Sequence, residues 1–366
     1  MSKAMLMRRG AVVTSTAAAM VFALSCTANA DQMAEMTSYL QKNMPKVSPD
    51  LLTAACSEGK LDILYTNVSN LSKYVDEFET YFPCIEVSAV ANGDDDNLAR
   101  FYAGEKQGSP PDILQLGSQV TLVEQVAKKG MLLEFTPTDA DKLQSLAPGL
   151  VISTDHQSQG ILYNTDSIKE TDLTAIKTWK DMTHLLDPQF QGKRLGVVDP
   201  HGAGGGSYVV AYVLYKEIGA DNVKKILDYL QVTVYPGSGP AVNALASGEL
   251  DLVIGNEFNA FAASQKGAPV QVWYPEPRSA SYTALGIAAK AKHPNAAKLW
   301  IEYETSQYGN EQISKYFSMA PGRPDSKDLR PSTKEPWYKA EEALYKFDID
   351  DMIKSYDAVV APFPSK

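Results

Sequence analysis

A glycine-rich run after a β-rich segment is the stretch of this chain whose residue types point most directly to ligand chemistry. Val197, Val198, Asp199, Pro200, His201, Gly202, Ala203, Gly204, Gly205, Gly206 and Ser207 lead straight into the apolar segment Tyr208 to Tyr215. A short β-rich run that breaks at Pro and Gly and resumes with helical spacing reads as strand, loop and helix N-terminus. The first helical turn leaves backbone N–H groups without intrahelical partners, and the macrodipole places partial positive charge at the same end. Such a loop is a natural anion seat. Its glycines let a ligand approach the backbone, and Ser207 adds a hydroxyl that caps the helix or meets the ligand. Two stricter phosphate motifs fail: a Walker A loop needs Lys before the Ser/Thr, and the dinucleotide fingerprint needs Gly where Ser207 stands. The alternative is a tight strand-to-helix turn with no ligand.

Other chemistry-bearing residues are sparse. Asp94, Asp95 and Asp96 follow Asn92-Gly93, but their spacing is not the alternating pattern of an EF-hand loop, so helix capping is the expected role. The four histidines, His156, His184, His201 and His293, form no HExxH pair, and no Gly-x-Ser-x-Gly elbow occurs. A secreted hydrolase therefore has no signature here, and no cofactor, metal or enzymatic activity is expected. His201 reads as a ligand contact or a turn residue.

The elements that position these residues belong to an exported chain. In residues 1–30, Lys3, Arg8 and Arg9 precede a small-residue and apolar core from Gly10 to Leu24, and Ala28-Asn29-Ala30 is a small-x-small cleavage site. This reads as a secretory signal peptide. A competing reading lipidates Cys26, although Ala23-Leu24-Ser25 fits that pattern imperfectly. Cleavage removes three basic residues and no acid, taking the net charge from −10 to −13. So acidic a chain is a poor binder of nucleic acid or anionic membranes, and no later apolar run approaches the ~20 residues that span a bilayer. In an oxidising compartment Cys56 and Cys84 are expected to form a disulfide, the alternative being two buried thiols. The 366 residues, 44% hydrophobic and 21% charged, suffice for two ordinary domains.

Met33, Met36, Leu40 and Met44 recur at helical offsets, and a second helix opens at Ser48. From Lys60 strands and helices alternate: Leu61–Tyr65, then helix Leu71–Tyr81; Ile85–Val90, then helix Leu98–Glu105; Ile113–Leu116, then helix Gln119–Lys129. That alternation argues for parallel α/β construction, in which ligands sit beyond the carboxyl ends of the strands.

Ala54-Ala55-Cys56-Ser57-Glu58-Gly59-Lys60-Leu61 and the Phe78, Tyr81-Phe82-Pro83 stretch resemble the start of the ferric-iron-type extracellular solute-binding proteins of ABC transporters. Gly160 to Asp166 resembles that family's crossover strand. Trp179-Lys180-Asp181-Met182 with Asp187-Pro188-Gln189-Phe190-Gln191-Gly192-Lys193 resembles its most specific signature. Val242, Gly248-Glu249-Leu250-Asp251 and Pro294 to Trp300 continue the match, which covers roughly residues 54–325. The resemblance implies an α/β, two-lobed type 2 periplasmic binding protein fold, each lobe a mainly parallel sheet flanked by helices, with two hinge crossovers. Lobe 1 would take 54–158 plus 282–322 and lobe 2 164–275, with hinges at 159–163 and 276–281. Residues 31–53 would be an N-terminal helical extension and 323–366 C-terminal helices.

In that architecture the cleft residues are strand-end turns: Thr66, Asn67, Ser69 and Asn70; Gly93 and Asp94; Gly117 and Ser118 on one lobe. Facing them would be His201, Gly204, Gly205, Gly206 and Ser207; Ser238 and Gly239; Asn256, Glu257 and Phe258; with Tyr282 and Arg323 entering from return segments. The ferric-binding branch carries an adjacent tyrosine pair where this chain has Gly255-Asn256-Glu257-Phe258-Asn259, so iron binding does not transfer. The implied function is the periplasmic substrate-binding component of an ABC importer, working as a monomer with a membrane permease as partner. Its solute would be a small anionic or zwitterionic organic compound, such as a phosphonate, phosphate ester or carboxylate. Ferric iron or a cation such as a polyamine or thiamine is the alternative. Replacing Gly205 with valine is expected to weaken solute binding with little change in unfolding midpoint; unchanged affinity would reduce the loop to a turn.

Overall fold

A computed structural model describes residues 31–145, 147–199, 213–330 and 349–365. Residues 1–30, read above as a signal peptide, and the glycine-rich run His201 to Ser207 therefore lie outside the described residues. Ser48 accepts from the Asp50 amide and Pro49 opens the Pro49–Glu58 helix, which Gly59 ends at φ 68°. That left-handed position is one glycine occupies without steric cost, and it turns the chain into β1 (Lys60–Thr66).

β2 (Glu86–Asn92) and β3 (Ile113–Leu116) follow, each separated from its predecessor by a helix, Leu71–Tyr81 and Asp94–Gln107. β1 pairs in parallel with both. Then come β4 (Leu132–Leu133), β5 (Ile152–Asn164), β6 (Leu195–Val198), β7 (Thr233–Tyr235), β8 (Leu252–Asn256), β9 (Val270–Trp273), β10 (Ser279–Ala288) and β11 (Ala320–Pro321). β6 pairs in parallel with β7 and β8. The main path runs β2-β1-β3-β10-β5-β8-β6-β7. Two parallel triplets thus flank an antiparallel centre, in which β10 pairs β3 and β5, and β5 pairs β8.

Burial of apolar surface on each side of that centre holds the arrangement together. Around the first triplet, Trp300 packs against Tyr74 and Phe78 at centroid separations of 5.7 and 4.9 Å. Met36 and Leu40 of the N-terminal helix over 31–43, with Met44 just after it, seal the same core. Around the second, Trp179, Met182 and Phe190 of the signature segment pack with Ile161, Val197 and Ile254, and Tyr356 and Val360 join from the C-terminal side.

The expected helix Leu71–Tyr81 and strand Ile113–Leu116 are found with those bounds. The helix expected from Leu98 begins four residues earlier, because Gly93 takes the N-cap and Asp94 to Asp96 form the first turn. The helix expected to reach Lys129 stops at Gln125 and continues as a 3-10 turn over Ala127–Lys129.

Cys56 and Cys84 form a disulfide, with Cα atoms 5.1 Å apart. The register that sets Lys60 beside Glu86 brings the two cysteines together. Their separation of 28 residues gives about 3–4 kcal/mol by the chain-entropy relation. Cys56→Ser/Cys84→Ser is expected to lose that much in urea denaturation, and a loss under about 1 kcal/mol contradicts this account.

Candidate functional site

A cavity of about 280 Å³ opens where the strands of both triplets end. Its walls are Thr66, Asn67, Val68 and Ser69 after β1, Gly93 and Asp94 after β2, and Gly117 after β3. On the other side stand Gly237, Ser238 and Gly239 after β7, and Asn256, Phe258 and Asn259 at the end of β8. Gln157 of β5 and Met319 complete the lining. Parallel strands ending here oblige the next helices to begin here, so first-turn N–H groups gather at one place. Three of these helices, Asp94–Gln107, Ser238–Ala246 and Glu257–Ser264, carry no side-chain hydrogen bond at their N-caps Gly93, Gly237 and Asn256.

Asp94 is the ionisable residue among the described lining residues, and it is 7% exposed. Its Oδ1 accepts the Gly117 amide at 2.9 Å and the Thr66 hydroxyl at 3.1 Å. Its Oδ2 is buried and has no partner among the described residues. Desolvation pushes the carboxyl up to about 6, against the lowering effect of the Gly117 amide and the Thr66 hydroxyl. The capping role expected for Asp94 is thus replaced by an inward one, because its carboxylate turns to β1 and β3. Gly117 leaves room for this: a Cβ there would stand 3.2 Å from Thr66 Oγ1 and 3.6 Å from both Asp94 oxygens. Asn97 fixes the helix in place by donating to the Tyr65 carbonyl at 2.9 Å.

Gln157 escaped the sequence reading. Its Oε1 is buried without a partner among the described residues, so the cavity offers a second unused acceptor. The signal was present as an unbroken polar run, Ser153 to Gln159, in the first half of the buried crossover strand. Met319, Val68 and Asn259 were also missed.

Thr66, Asn67, Ser69, Gly93, Asp94, Gly117, Ser238, Gly239, Asn256 and Phe258 are brought together around this cavity. Five other expected contacts are placed elsewhere. Ser118 caps the Gln119–Gln125 helix, accepting from the Thr121 amide at 3.2 Å. Asn70 sits at φ 58° and donates to the Tyr316 carbonyl. Glu257 turns away and pairs with buried Arg330 at 2.5 Å, while also accepting the Tyr274 hydroxyl. Arg323 is held by Asp139 at 2.7 Å and Asp325 at 2.9 Å. With Tyr282 and His156 it borders a separate cavity of about 430 Å³, since β5 presents His156 and Gln157 to opposite faces.

Residues 73–345 match the family model described as bacterial extracellular solute-binding protein. The chain belongs to this family. No curated protein matches it by sequence. Among solved structures, this solute-binding protein is similar to the periplasmic binding protein AfuA from Actinobacillus pleuropneumoniae with fructose-6-phosphate bound. Identity there is 18% and the TM-score 0.65, over 82% of this chain and 99% of that one. Iron-bound HitA from Pseudomonas aeruginosa is 20% identical at TM-score 0.64, over 82% and 96%. A periplasmic thiamin binding protein is 18% identical at TM-score 0.63, over 82% and 96%. The fold is that of the two-lobed type 2 periplasmic binding proteins, and the family and these neighbours are transport-associated binding proteins.

The raised Asp94 carboxyl fixes a pH dependence. Between its ordinary value of 3.8 and about 6, the folded state binds more protons than the unfolded, so stability falls as pH rises through that window. The fall is up to about 3 kcal/mol. In urea denaturation at pH 4 and pH 7, an interval that begins just above the unfolded value, Asp94→Asn is expected to show a drop smaller by about 2 kcal/mol. An identical drop in the variant contradicts the assignment.

Proposed function

We propose that this chain is the exported substrate-binding component of an ABC importer, capturing a small zwitterionic or anionic organic solute between two lobes and delivering it to a membrane permease. The carrying observation is the pairing, in one cavity, of uncapped helix starts with the unpartnered Oδ2 of Asp94. Helix N-termini favour an anionic group. A buried carboxylate oxygen without a donor costs free energy until one arrives, so the other end of the solute presents an ammonium or hydroxyl group. Phosphonates bearing an amine, sugar phosphates and amino acid-like carboxylates carry both features, and the fructose-6-phosphate bound to the AfuA neighbour is of this kind.

In this reading the lobes comprise 54–158 with 282–322 and 164–275, closing about 159–163 and 276–281. The signal peptide is cleaved after Ala30, the protein acts as a monomer, and it performs no catalysis. The glycine-rich run with His201 and Gly204 to Ser207 lies outside the described residues and is proposed, from its sequence, to add to the anion seat. Contacts made only when the lobes are closed drive closure. No tyrosine stands among the described lining residues, so ferric iron receives no support from them. A wholly cationic solute is a second reading, favoured by Asp94 being the ionisable group in the described lining.

Thermal unfolding in the presence of two panels separates these readings. Aminoalkylphosphonates, sugar phosphates and amino carboxylates form one; spermidine, thiamine and ferric citrate form the other. At 100 times its Kd a bound solute adds about 2.7 kcal/mol. A midpoint rise with a member of the first panel, lost in Asp94→Asn, is expected. Stabilisation by the second panel alone would reject the proposal.

A further inference from the structure

At the opposite end of β1 from the cavity, Asp62, Asp112 and His293 converge. Each offers a ligand atom, and these atoms lie within 4.8 Å of one another. Asp112, in the turn before β3, is 1% exposed. Its Oδ1 accepts the His293 amide at 2.9 Å, and its Oδ2 lies 2.9 Å from both the Asp62 amide and His293 Nδ1. The backbone around it is equally fixed, since the Asp112 amide donates to the Asp62 carbonyl and the Asp112 carbonyl accepts from Ala288. His293 stands at the N-cap of the Pro294–Thr305 helix. Three separate elements therefore hold three donor atoms in register, with Asp62 at the solvent edge.

We propose that Asp62, Asp112 and His293 form a peripheral site for a borderline divalent cation of the zinc type. Charge is the first argument. Two carboxylates face one imidazole, and His293 is the one basic side chain within ion-pairing distance of either aspartate among the described residues. A buried carboxylate beside a second one is stabilised by a cation. Ligand chemistry is the second. One imidazole nitrogen with two carboxylate oxygens suits Zn²⁺ and its first-row neighbours, whereas Ca²⁺ and Mg²⁺ take oxygen alone.

Geometry is the third. Zinc–ligand bonds of about 2.0–2.2 Å set ligand atoms roughly 3.3 Å apart around a tetrahedron. His293 and Asp112 stand near that spacing already, and the exposed Asp62 carboxylate closes the triangle with a small rotation. Water fills the remaining position from the open side. His293 binds the metal through Nδ1, the nitrogen that stands 2.9 Å from Asp112 Oδ2.

The site is independent of the solute cavity. Asp62 and Thr66 are four residues apart along β1, about 13 Å, so metal bound here stabilises the first lobe without touching solute. It fastens the starts of β1 and β3 to the helix that carries Trp300.

The test uses tag-free chain stripped with EDTA and desalted, titrated calorimetrically with zinc chloride at pH 7.5. One equivalent per chain is expected, together with a rise in unfolding midpoint that calcium or magnesium chloride at the same concentration does not give. Asp62→Asn is expected to weaken zinc binding at least tenfold. Its side chain is exposed, so its unfolding midpoint without metal should match the wild type. His293→Asn should weaken binding as much or more. Absence of zinc binding to the wild type overturns the proposal, and so does wild-type affinity in Asp62→Asn.

Discussion

Everything in the candidate site depends on one strand having two sets of neighbours. β5 is thirteen residues long and buried along almost all of its length. Its first half pairs with β10 and β11, its second with β8 and β9. The parallel triplets attach on either side of this antiparallel centre and direct their carboxyl ends to one cavity. A buried strand is ordinarily apolar, yet β5 carries Asp155, Gln157, Ser158 and Gln159 at its middle. Polar groups so placed need partners. Gln159 finds one in Asn256 at 3.1 Å, and that bond locks β5 to the strand that ends at the cavity. Gln157 Oε1 has none among the described residues, and Gln157 lines the cavity.

Behind the cavity floor two more acids are buried. Desolvation pushes Glu304 up to about 8, although the Tyr65 hydroxyl at 2.5 Å and the Trp300 indole at 2.7 Å both donate to it. Asp155 is pushed by burial to about 7. Burial is the main cause in both, since removing a carboxylate from water disfavours its charged form, and the Asp155 charge adds to the rise at Glu304. The side facing the cavity and the side facing the core differ chiefly in whether the hydrogen-bond acceptors are already used.

Most of the architecture was legible in the sequence because it rests on local signals. Ser48 with Pro49 announces a helix start, Gly59 its end, and the alternation from Lys60 to Leu116 gives the parallel order. Asn67, Gly93, Gly117 and Ser238 were readable as strand-end turns once that order was known. Side-chain direction was not readable. Asp94 and Asp95 are indistinguishable as letters, and only the packing of the Asp94–Gln107 helix decides which faces inward. Glu257 was misplaced for the same reason: its partner Arg330 is 73 residues away, and no local pattern announces such a pair. Arg323 likewise answers to Asp139, and Tyr282, on β10 opposite His156, borders the other cavity.

The central claim is that one solute occupies the cavity and uses Asp94. Native mass spectrometry of freshly purified protein tests it most directly. The account predicts a one-to-one adduct of a small polar compound on the wild-type chain, removed by Asp94→Asn. An adduct retained equally by wild type and Asp94→Asn would contradict it.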